Sequence, residues 1–124
     1  MNMKILGRIF IVIATLNTIF CVQETREYTV NFSVDANEVR NVVKLGIRGN
    51  IKPLSWEKDI ALFDNDHDGI YEGEVKIVAP YALLEYKFVL NDRLFELKDK
   101  PNRKLYLGEE KQLFVKSIFD LIAN

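Results

Sequence analysis

At 124 residues, with 48% hydrophobic and 28% charged residues, the chain has the composition of one globular domain. Its 17 basic and 18 acidic residues nearly cancel, and no lysine and arginine cluster forms a face that would neutralise phosphates, which argues against a nucleic-acid partner. The single cysteine, Cys21, leaves no disulfide within the chain.

The first 23 residues read as a secretory signal peptide. Lys4 and Arg8 precede the 12-residue stretch "IFIVIATLNTIF", and no acidic residue interrupts the segment. Crossing a bilayer takes about 20 apolar residues of helix, so this run suits a cleaved leader better than an uncleaved anchor. Cys21 as a lipidated first residue is a second option, although Thr18, Ile19 and Phe20 before it make a poor lipoprotein signal. The expected domain is therefore 24–124. It should have no membrane span and be secreted, periplasmic or at the cell surface. Lacking a disulfide, it depends on its core for stability.

From residue 28 onward the apolar residues alternate, the period of a half-buried strand. In "YTVNFSVD", Tyr28, Val30, Phe32 and Val34 share one face. Val43, Leu45 and Ile47 do so in "NVVKLGIRG", Tyr71, Val75 and Ile77 in "YEGEVKIV", and Leu84, Tyr86, Phe88 and Leu90 in "LLEYKFVLN". "RLFELK", "KLYLG" and "KQLFVKSIF" are shorter or more mixed, and the final stretch suits either a strand or a short terminal helix. Polar turn signals at Asp35, Arg48, Asp66, Ala79, Asn91, Lys100 and Gly108 separate the runs. The pattern predicts an all-β fold, an antiparallel immunoglobulin-like β-sandwich of seven to eight strands.

The turn "DNDHDG" brings Asp64, Asp66 and Asp68 to alternate positions with Gly69 after them, as a calcium loop does. The position at which an EF-hand loop is closed by a bidentate glutamate is Val75, however. The preferred reading is a solvated acidic turn that needs no cofactor, with a weak calcium site as the alternative. No catalytic set emerges. The only histidine, His67, lies in this turn, and Glu72 and Glu74 alternate with Tyr71 and Val75 on an outward strand face where nothing would raise a carboxyl pKa.

Trp56, the only tryptophan, follows "KPLS" in a loop rather than in an alternating run. It could be a core residue, or an aromatic platform for the apolar face of a sugar ring with Lys87 and Glu96 as polar rim. The order "YTVNFSV", "LGIRGNIKPLSWEKDIAL", "GIYEGEV", "LEYKFVLND" and "FELKDKPNRKLYL" resembles the family-twenty starch-binding carbohydrate-binding module over Tyr28 to Leu107. That resemblance implies a non-catalytic β-sandwich that binds starch, glycogen or malto-oligosaccharides and works beside glycan-degrading partner proteins. It also implies stacking on Trp56 and Phe95, and hydrogen bonds from Lys87, Glu96 and Asn102. Phe95 stands where the family usually has tryptophan, and the interval to Asn102 is longer than usual, so a weaker, one-site binder is expected. The rival expectation is a sandwich of the same fold that binds another protein instead of sugar.

Overall fold

The computed structural model describes residues 24–122, so the segment read above as a signal peptide, Cys21 included, lies outside the described residues. Eight strands follow one another: β1 (Arg26–Asp35), β2 (Leu45–Gly49), β3 (Ile60–Leu62), β4 (Ile70–Ala79), β5 (Ala82–Leu90), β6 (Leu94–Phe95), β7 (Arg103–Leu107) and β8 (Gln112–Ile118). They form two sheets. One has the order β4-β1-β8; the other runs β3-β2-β5-β6, with β7 pairing the first half of β5.

The alternating residues turn inward as their spacing demands. Tyr28, Val30, Phe32 and Val34 of β1 face Leu84, Tyr86, Phe88 and Leu90 of β5, and all are buried in one apolar cluster between the sheets. The rings of Phe32, Tyr86 and Phe88 meet edge-on, with centroids 5.1, 5.8 and 6.4 Å apart, the arrangement that aromatic quadrupoles favour. The Tyr28 hydroxyl, buried with its ring, donates to the Gly108 carbonyl at 2.9 Å and so leaves no unpaired polar atom there.

One expectation about local structure is corrected, and one open alternative is resolved. Val43 is 81% exposed and precedes β2: the side-chain oxygen of Asn91 accepts the N–H groups of Val43 and Lys44, holding this stretch as a loop. The terminal stretch is a strand, and it pairs with β1 in parallel, unlike the other ladders. β8 reaches this position by crossing from the second sheet to the first after β7, so it enters beside the start of β1 rather than returning along a hairpin.

Candidate functional site

The outer face of the second sheet carries Lys87 and Phe95, two of the residues that the sequence singles out. Opposite residues on paired strands share a face; Arg48 lies opposite Lys87, Gly46 opposite Val89, and Phe95 opposite Val89 from the other side. Val89 is fully buried but sits outside the main core, which makes it the floor of a second, small packing layer on this face.

Trp56 is half-buried in the loop between β2 and β3, and Phe95 on β6 is 41% exposed. Their ring centroids lie 6.5 Å apart with planes inclined at 44°. Two segments nearly forty residues apart in sequence thus present adjoining aromatic surfaces.

Lys87 does not stand free beside them. Its ammonium donates to the carbonyls of Leu97 and Lys100 at 3.1 and 3.0 Å, tying down the turn after β6, and keeps one of its three donors. Asn102 is half-buried just before β7. The first β7 residue, Arg103, pairs with Tyr86, which is roughly 10 Å along β5 from the Val89 that pairs with Phe95.

Glu96 is a correction. It is only 1% exposed, and its carboxylate is fully committed. Arg103 donates to it through Nε and a terminal nitrogen at 2.7 and 2.8 Å, and the backbone N–H groups of Phe88 and Asp120 donate at 2.9 Å each. Four donors satisfy the acceptor sites of a carboxylate, so Glu96 is an internal counter-ion and not part of a sugar rim. The reversal follows from the pleat. Phe95 faces outward opposite Val89, and the Glu96 N–H still bonds the Phe88 carbonyl at 3.0 Å, so the next side chain shares the inner face with Phe88.

A residue that sequence reasoning passed over organises the platform. The Arg48 guanidinium lies 5.2 Å from the centre of the Phe95 ring. It also pairs with Asp59, donates to the Trp56 carbonyl at 3.1 Å and donates to the Asp92 carbonyl at 3.0 Å. Arg48 and Asp59 are each 13% exposed. Asp59 can approach so closely because residue 46 is glycine: a Cβ there would stand 2.7 Å from the Asp59 Cβ. The available signal was an arginine at an outward position of an otherwise apolar strand, between two glycines.

The acidic turn is a self-contained unit. One oxygen each of Asp64, Asp66 and Asp68 lie within 4.8 Å of one another. Yet Asp64 accepts the N–H groups of Asp68 and Gly69 at 3.0 Å, and Asp68 accepts that of Ile70 at 2.9 Å, as turn aspartates do. Partial desolvation pushes Asp64 up, but the N–H donors of Gly69 and Asp68 outweigh it and leave its pKa below the ordinary value. Asp66 is raised, chiefly by the hydrogen bond it shares with Asp68. The three carboxylates would need further oxygen ligands to complete a calcium shell of about six to eight. Glu72 and Glu74 are both exposed on β4.

Compared with known proteins, the chain matches no family model, and no curated protein is significantly similar to it.

Proposed function

We propose that the protein binds α-glucan chains, such as starch, glycogen or malto-oligosaccharides, on the surface formed by Trp56 and Phe95, without catalysing their cleavage. The observation that carries this reading is the inclined pair of part-exposed rings on one sheet face. Each ring offers an apolar plane to the C–H face of a glucose unit, and two inclined planes suit successive units of a chain that bends better than units that lie in one plane. Lys87, with one donor left, and Asn102 supply polar contacts at the margin; Glu96 does not. The sequence resemblance supports the same ligand class.

Because Trp56 is the only tryptophan, its fluorescence reports on the site alone. Titration with maltohexaose is expected to change the emission saturably, and the protein is expected to sediment with insoluble starch. Emission that stays unchanged, together with no sedimentation, would overturn the proposal. Measurable starch hydrolysis by the purified protein would overturn its non-catalytic part.

One observation favours the second reading, a protein-interaction module. β8 ends the first sheet and presents Phe114, 73% exposed, with Ile118 and the following Leu121 and Ile122 also exposed. Failure of sugar binding in a folded protein would move the function to this strip.

A further inference from the structure

We infer that Arg48 is the positioning residue that sets the angle between Trp56 and Phe95, and through that angle the preference of the platform for bent over flat glycan chains. The preference rests on the α-glucan reading above; the positioning of the rings does not.

Trp56 and Phe95 belong to separate segments, and neither is fixed by deep burial. A single guanidinium spans the gap. It lies against the Phe95 ring at cation–π distance, which confines the ring on that side while 41% of the residue stays exposed. Its terminal nitrogens hold the backbone of Trp56 and of Asp92, so the loop bearing the indole and the turn before β6 are tied to one group. Asp59 holds the guanidinium itself in orientation through Nε. The planar fork of arginine makes these contacts together, which a lysine ammonium on a flexible stem cannot reproduce. Two rings held in advance of binding spare the ligand the ordering of two aromatic side chains, and a fixed inclination between them is what would tell a chain that bends between sugar units from one that runs flat.

The test compares the wild-type protein with Arg48→Lys, Arg48→Met/Asp59→Asn and Gly46→Ala. The double variant avoids leaving a carboxylate unpaired. Gly46→Ala displaces Asp59 while keeping Arg48. Two readouts are taken on variants that remain folded: the nuclear Overhauser contact between the Trp56 indole and the Phe95 ring, and the ratio of affinities for maltohexaose and the β-linked cellohexaose. The contact should be present in the wild type, absent in the double variant and weakened in the other two. Affinity for maltohexaose should fall about tenfold in the double variant, from the lost pre-ordering of two side chains, and the ratio should fall as well because unheld rings no longer favour the bent chain, with partial recovery in Arg48→Lys. An inter-ring contact of wild-type strength in the double variant would overturn the positioning role. An unchanged ratio would overturn the specificity role. A wild-type protein that binds neither sugar would overturn the proposed function and the specificity role together, while the ring contact still decides whether Arg48 positions the pair.

Discussion

Two arginine–carboxylate pairs serve the second sheet, and they are built for different ends. Arg103 and Glu96 are 10% and 0% exposed, and the arginine continues to the carbonyls of Ile118 and Leu121 at 2.9 and 3.0 Å, so this pair fastens β6, β7 and the end of β8 inside the fold. Arg48 and Asp59 are nearer the surface, and the arginine's remaining N–H donors and flat face reach the Trp56 loop and the Phe95 ring. Phe95 and Glu96 are neighbours in sequence, yet each belongs to a different pair. The difference teaches that a paired charge stabilises the fold where its other partners are backbone groups of several strands, and shapes a surface where one partner is an exposed ring.

If that contrast holds, the two pairs fail in different ways. Glu96→Ala should give the largest loss of stability, about 3–5 kcal/mol, because it strands a buried guanidinium; urea denaturation measures it. An affinity loss without a stability loss would instead place Glu96 at the sugar rim. Arg48→Met should cost less, about 1–3 kcal/mol for its charged hydrogen bonds, while weakening maltohexaose binding out of proportion to that loss.

The pair at Arg103 also has an alkaline signature in its neighbour Tyr86. Burial raises the Tyr86 pKa, with Arg103 opposing and Glu96 adding to the rise. The unfolded chain releases this proton near pH 10 while the folded chain retains it, so the contribution is intact below about pH 10 and lost as pH rises through the folded value. Tyr86→Phe should flatten the decline in stability above about pH 10, and an unaltered slope would contradict the assignment. At the platform, Phe95→Trp should tighten maltohexaose binding a few-fold through its larger ring, measured by titration. The smallest effect belongs to the acidic turn: Asp66→Asn should leave the urea midpoint essentially unchanged, as substitutions on exposed turns do. Calcium should leave the melting temperature unchanged. A calcium-dependent rise that Asp66→Asn removes would make the turn a metal site.

The strands were legible because their signal is local. Alternation over a few residues placed Phe32 and Phe88 inside without knowledge of their neighbours. What stayed hidden depends on distant partners. Glu96 is drawn inward by Arg103 and by the Asp120 N–H, 24 residues away, and Arg48 meets Asp92 across 44 residues. The parallel pairing of β8 depends on the path of the chain between sheets, which no run of residues encodes. The pairing of Trp56 with Phe95 was anticipated only through the family resemblance, since nothing local links the two.

The most direct test of the central claim is calorimetric titration of the protein with maltohexaose, beside a Trp56→Ala variant shown to be folded. Saturable heat in the wild type that vanishes in the variant is the result predicted by an aromatic platform for α-glucans. No heat in the wild type, or equal binding in both proteins, would contradict it.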